Sequence, residues 1–305
     1  MSAKAFLVVC LNPTVQRTFS LDRLERGQVN RVRRFRVDAS GKGVNVARIL
    51  HQLGEGVVHL TQSGGEFERL FLDRCSADGL DVRPVHGDID IRQCYTLLDG
   101  SDRSTTEIVE AGHPTPAGVE AAVWESYREL LGEAHTVIIS GSKAPGFSDA
   151  LYPSMVREAR ERDLRVVLDI RNADLVHSLP HRPSLVKINV NEFAETFLDD
   201  PVPEETDPDE LPPGIRSRMV EVAREGRCDL VLTNGAHPVM YVDGDRVEHV
   251  APMRAEPVNT IGSGDAVTAG TAAGLARGMT LREAIELGLD CARRNVGFEK
   301  PGTIE

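Results

Sequence analysis

Gly262, Ser263, Gly264 and Asp265 follow one another inside the stretch NTIGSGDAVTAG, and the residues behind them are mostly small. Such a turn offers main-chain N–H groups with little side-chain cover, and the run after it predicts a helix over 265–277. A helix start concentrates unsatisfied donors and partial positive charge, so it attracts an anion. Aimed at a transferring γ-phosphoryl group, Gly262, Ser263 and Gly264 would form an anion hole that stabilises charge where it accumulates. Asp265 would then be the catalytic general base toward the attacking hydroxyl. A carboxylate at a helix start stays ionised, which makes it a weak base, and this suffices when the proton leaves late. The alternative is an ordinary cap, with Ser263 or Asp265 bonding backbone amides and Ala266, Ala269, Gly270, Ala273 and Gly274 permitting tight packing.

DASGKGVNVARIL, residues 38–50, repeats the arrangement. Lys42 supplies a point charge and Asn45 an amide for hydroxyls, a pairing suited to a sugar phosphate, unless this is a plain turn before a helix. LVKINVNEF places Asn189 and Glu192 just after a strand, where open α/β sheets bind ligands. Glu192 could orient Mg²⁺-bound water, because Mg²⁺ keeps much of its hydration shell; capping of the next helix is the other use of the pair. Familiar alternatives are missing. There is no Gly-x-x-x-x-Gly-Lys-[Ser/Thr] loop, no third glycine of a dinucleotide fingerprint, no His-Glu-x-x-His, and Ser142 fails the Gly-x-Ser-x-Gly elbow. Pro180 spoils the helix that would align His177 with His181.

Elements must position these residues. AFLVVCL, GVVHLT, TVIIS, RVVLDI, LVKIN and DLVLTN are short, mostly continuous apolar runs, the pattern of strands buried on both faces of a parallel sheet. Helical patterns lie between them at 44–53, 66–77, 116–131, 148–162, 215–224 and 281–295, besides 265–277. The alternation predicts a doubly wound α/β fold. Two segments break it. Residues 30–38 alternate apolar and basic side chains like a half-exposed antiparallel strand, and 94–110 reads as a hairpin turning at Asp99-Gly100. They predict a small β-layer, with Arg31, Arg33, Arg34 and Arg36 on a solvated face or an anion site. The acidic, proline-rich 199–214 segment reads as a mobile surface loop.

Composition narrows the class. The 41% hydrophobic and 27% charged content over 305 residues is that of an ordinary globular protein. A net charge of −12 without a compensating basic block argues against nucleic-acid binding and obliges any phosphate site to supply its own positive field. The 5 cysteines are scattered and never in Cys-x-x-Cys, as in a reduced cytoplasmic protein. The N-terminal apolar run is too short for a signal peptide and no stretch reaches membrane-span length, so no membrane partner is expected.

Taken in order, these motifs resemble the PfkB-type carbohydrate kinases of the ribokinase-like fold, nearest to the phosphohexose kinases: 1-phosphofructokinase, tagatose-6-phosphate kinase and the minor 6-phosphofructokinase. CLNPTVQRTF, SGKGVNVAR, TEIVEAG, SGSKAPG, KINVNEF and TIGSGDA carry the resemblance over nearly the whole chain, the last being the most specific. It implies a single kinase domain over 1–305, a three-layer sandwich with a mostly parallel central sheet, and a β-lid from about 12–38 and 90–112. It implies ATP and Mg²⁺ as cofactors, a sugar phosphate as partner and a homodimer joined through the lid. By resemblance Asn189 and Glu192 govern Mg²⁺ and the triphosphate, and Thr233 and Gly235 lie on the nucleotide side. Gly41, Lys42 and Arg92 grip the phosphate already on the sugar, and Asn45 contacts the sugar. Four positions depart from the pattern: Gln16 replaces a sugar-binding aspartate, Ser40 a glycine, Val109 an asparagine, and Arg171-Asn172 a Ser-Gly pair. A kinase for an unphosphorylated sugar or nucleoside, and a non-catalytic sugar-phosphate sensor, are the competing readings.

Overall fold

Continuous apolar runs end as inner strands because each of their faces needs a helical layer over it. The computed structural model describes residues 5–198, 202–203 and 205–305. Its strands are β1 (Ala5–Val9), β2 (Thr14–Leu21), β3 (Arg34–Ser40), β4 (Val57–Ser63), β5 (Asp81–His86), β6 (Arg92–Asp99) and β7 (Thr105–Val109). They continue as β8 (Ala134–Ser140), β9 (Arg165–Asp169), β10 (Leu185–Asn189), β11 (Asp229–Thr233), β12 (Val239–Asp243) and β13 (Arg246–Val250). The α-helices are α1 (Lys42–Gln52), α2 (Glu68–Ala77), α3 (Val119–Leu130), α4 (Leu151–Glu161) and α5 (Asn172–Ser178). Four more follow: α6 (Val190–Phe197), α7 (Ile215–Gly226), α8 (Ser263–Ala276) and α9 (Leu281–Asn295).

Nine strands form the main sheet in the order β13-β12-β11-β10-β9-β8-β1-β4-β5. Only the β12–β13 end is antiparallel. Side-chain alternation divides each inner strand between two cores. Leu7 and Val9 of β1, Val137 and Ile139 of β8, and Val166 and Leu168 of β9 pack with α3, α4, α6 and α7. Phe6 and Val8, Ile138, and Val167 pack with α1, α2, α8 and α9. The result is the three-layer α/β sandwich that the resemblance implied.

A second sheet, in the order β3-β2-β6-β7, stands beside the first. The strand expected at 30–38 forms at Arg34–Ser40, and the 94–110 hairpin is β6 paired antiparallel to β7. Strands β5, β12 and β13 and helix α5 were not foreseen, and α6 was anticipated only as the helix that Asn189 and Glu192 would cap. β5 alternates exposed and half-buried residues at the sheet edge, so it lacks an apolar run. In the acidic segment, positions 199–201 and 204 lie outside the described residues, and two of the others accept hydrogen bonds from the body of the domain. Asn191 donates to the Val202 carbonyl at 2.8 Å and Asn234 to that of Thr206 at 2.7 Å. Among the described residues no helix is long and apolar enough to cross a membrane.

Candidate active site

Parallel register sets Ser140 at the carboxyl end of β8 beside Asp169 at that of β9, with Lys187 from the middle of neighbouring β10, all on the face covered by α1 and α8. Three carboxylates and two ammonium groups meet above this row. Lys187, only 3% exposed, lies 3.3 Å from Asp169 Oδ2, which also accepts from Thr268 Oγ1 at 2.7 Å. Lys42 Nζ lies 3.1 Å from Asp169 Oδ1 and 2.9 Å from Glu192 Oε1. Burial works to raise the Asp169 pKa, but Lys187 and Lys42 outweigh it and hold the carboxyl at about 2. Burial alone would lower the Lys42 pKa; Asp169 and Glu192 reverse this and raise it.

Asp265 sits in the first turn of α8, buried, with Oδ2 accepting from Asn45 Nδ2 at 2.8 Å. Asn45 is oriented in turn by Arg48, whose Nη1 donates to Asn45 Oδ1 at 3.1 Å and to the Pro301 carbonyl at 2.7 Å. Burial first, then the charge of Asp169, pushes the Asp265 carboxyl up to about 6. It is therefore a stronger base than a carboxylate at an open helix start, which corrects the expectation of a weak one. The reason is tertiary: Asp169 arrives from another strand.

The cap alternatives resolve in opposite ways. Gly262, at φ +81°, precedes α8 and no side chain caps the helix, so neither Ser263 nor Asp265 serves as a cap. The small residues behind do pack closely: a Cβ on Gly270 would meet Gly288 Cα of α9 at 2.6 Å. A Cβ on Gly264 would stand 2.9 Å from Lys187 Nζ, so the bare turn faces a buried positive charge. Asn189 and Glu192, by contrast, form a reciprocal capping box on α6, with Glu192 N–H donating to Asn189 Oδ1 at 2.7 Å. Glu192 has a second oxygen, and that one meets Lys42.

The remaining expected residues spread around this centre. Gly41 opens α1 at φ +109°, with room for a Cβ only 3.4 Å from Pro13 Cα. Thr233 is the register partner of Asn189, and Gly235 beyond it is exposed, at φ +52°, with the Glu205 side chain close enough to meet an added Cβ. Gln16, 2% exposed, donates to Thr96 Oγ1 at 2.5 Å on the small sheet. Arg92 borders a small cleft with Asn12, Gln62 and His113, and its Nε is buried without a partner among the described residues. Lys42 was expected to join Arg92 on an anion; here its ammonium is held by two carboxylates instead. In the basic stripe, Arg34 pairs with Glu299 and Arg36 with Asp38, the latter at 2.6 Å. Asp169, Lys187, Ser140, Thr268 and Arg48 were missed. Lys187 carried a signal, since a charge inside a run read as buried on both faces needs a partner.

The family model for pfkB family carbohydrate kinases matches residues 7–304. The chain belongs to that family. It is a carbohydrate kinase, and kinases of this family use ATP, generally with Mg²⁺. Its fold is similar to phosphofructokinase-2 from Escherichia coli in complex with fructose-6-phosphate, at 20% identity and TM-score 0.83, covering 96% of this chain and 94% of that one. A possible 1-phosphofructokinase from Thermotoga maritima matches at 20% identity and TM-score 0.85, covering 97% and 93%. Arabidopsis thaliana ribokinase, complexed with ribose and ATP, matches at 16% identity and TM-score 0.73, covering 98% and 95%.

Proposed function

We propose that this carbohydrate kinase transfers the γ-phosphoryl group of ATP to a free hydroxyl of a phosphorylated ketohexose, in the manner of a 1-phosphofructokinase or tagatose-6-phosphate kinase. The observation that carries the reading is a buried carboxylate of raised pKa in the first turn of an uncapped helix, beside Lys187. Asn45 holds Oδ2 of Asp265, which leaves Oδ1 to take the proton of the acceptor hydroxyl. A pKa near 6 keeps the base ionised at neutral pH yet strong enough to accept that proton. The Gly262 and Gly264 amides and the Lys187 ammonium would stabilise the negative charge that grows during transfer, while the Ser263 amide donates to the Thr260 carbonyl at 3.3 Å in this structure. Thr233 and Gly235 lie on the nucleotide side of the same strand ends.

Mg²⁺ fits the donor set. Asp169 and Glu192 are hard oxygen ligands, and Ser140 Oγ beside them is buried without a partner among the described residues. Bound there, directly or through water, the ion would neutralise phosphate charge. Arg92, with an unpartnered Nε in its cleft, supports an acceptor that already carries a phosphate. The small sheet serves as lid over a single kinase domain. Its outer face exposes Phe35 (61%) and Ile108 (57%), which suits pairing with a second copy.

An acceptor screen tests the reading: fructose 1-phosphate, fructose 6-phosphate, tagatose 6-phosphate and unphosphorylated sugars, with ADP release measured. Turnover on one of the phosphorylated ketoses is expected, with Arg92→Ala raising KM for it at least about tenfold. Preference for an unphosphorylated sugar, with Arg92→Ala silent, would replace the substrate class. No turnover on any acceptor would favour a sensor.

A further inference from the structure

Lys42 stands where two demands collide. Asp169 uses Oδ2 for Lys187 and Thr268 and turns Oδ1 to Lys42. Glu192 uses Oε2 for the amide of Asn189 and turns Oε1 to Lys42. One oxygen from each carboxylate therefore converges on a single nitrogen. Ser140, on the strand next to Asp169 and on the same face, adds a buried hydroxyl that none of the described residues engages. Two converging hard oxygens and an orphan hydroxyl describe a place for a small hydrated divalent cation. An ammonium fills it. Its side chain is 35% exposed, unlike that of Lys187 at 3%, and a four-carbon stem has rotatable bonds by which an ammonium can change partners.

We infer that Lys42 is a built-in rival of Mg²⁺, holding the cation position between Asp169 and Glu192 until an acceptor anion draws it away. The inference rests on the kinase reading for the presence of a metal. The Lys42 ammonium occupies the point where the two free oxygens converge, so a metal ion can take that point only if Lys42 leaves it, and like charges a few ångströms apart repel. Metal and acceptor anion then bind with positive coupling, and by linkage each tightens the other equally. The ammonium that neutralises the carboxylates in the empty site would meet the sugar phosphate in the filled one. A site without acceptor holds the metal poorly, which limits wasteful ATP hydrolysis.

The test uses the full chain with Mn²⁺ as probe, without nucleotide or sugar, following free Mn²⁺ by electron paramagnetic resonance. Lys42→Met is expected to bind Mn²⁺ at least about tenfold tighter than the unaltered protein. Asp169→Asn introduced into that variant should abolish the gain. Lys42→Arg keeps the charge and clamps both carboxylates with a rigid fork, so Mn²⁺ should bind at least about threefold more weakly. That variant preserves the ion pairs, so it reports even if Lys42→Met folds poorly. Unchanged or weaker binding in Lys42→Met, a gain that survives Asp169→Asn, or unchanged or tighter binding in Lys42→Arg would overturn the inference. These titrations contain no substrate, so their failure is distinct from a failed acceptor screen.

Discussion

Two helices start at the carboxyl edge of one sheet and treat their first amides in opposite ways. At α6, Asn189 and Glu192 close a reciprocal box over the orphan N–H groups. At α8, Gly262 offers no side chain, and the first-turn carboxylate of Asp265 is bound to Asn45 of another helix instead. A helix start that satisfies itself contributes stability. One with no side-chain cap, beside a buried carboxylate and a buried ammonium, has its Ser263 amide on the Thr260 carbonyl at 3.3 Å, and the proposed function gives its remaining first-turn amides to a ligand.

The largest effect expected from this contrast is at the base. Asp265→Asn should lower kcat at least about a hundredfold while sugar-phosphate binding stays measurable by calorimetry. Near-normal turnover would make the two helix starts equivalent and remove the base. Lys187→Met should also reduce kcat by about a hundredfold, since it removes the charge facing the open turn. It leaves Asp169 with Lys42 alone, so a stability loss of about 3 kcal/mol in urea unfolding should accompany it. A stability loss without a kcat loss would make Lys187 purely structural.

The pH profile sharpens the contrast. Asp265 must be ionised to act, so kcat/KM should fall below about pH 6. Asn45 donates to the ionised form, so Asn45→Ala should move this limb to higher pH; a limb that stays put would show that another group titrates. Stability runs the other way for this residue. Its folded pKa is raised, so its ionisation costs stability as pH rises from about 4 to about 6. Asp169 has the opposite sign, with its contribution present above about pH 4 and lost as pH falls through about 2. The smallest effect belongs to a purely structural cap. Thr280 closes a box with Glu283 on α9, and Thr280→Ala should cost about 1 kcal/mol in thermal unfolding without changing kcat.

Much of the fold was legible because strands buried on both faces must be apolar throughout, as in AFLVVCL and RVVLDI. Helix α9 was read at its observed bounds, 281–295, from its helical pattern. Edge strand β5 and short helix α5 were missed because few of their residues are fully buried and the pattern they leave is weak. In the site, Asp265, Lys42, Asn45, Asn189 and Glu192 were legible from glycine turns and strand ends. Asp169 was not, since a lone aspartate closing a strand looks like any turn residue.

What the sequence determined by itself was local: which segments bury two faces, where helices begin, and which turn lacks side chains. Those follow from periodicity and backbone freedom within a few residues. Tertiary structure decided the charges. Burial and then the charge of Asp169 push the Asp265 carboxyl up to about 6, and the meeting of Asp169 with Glu192 turns Lys42 toward two carboxylates. Electrostatic energy depends on distance and burial, and neither is written along the chain.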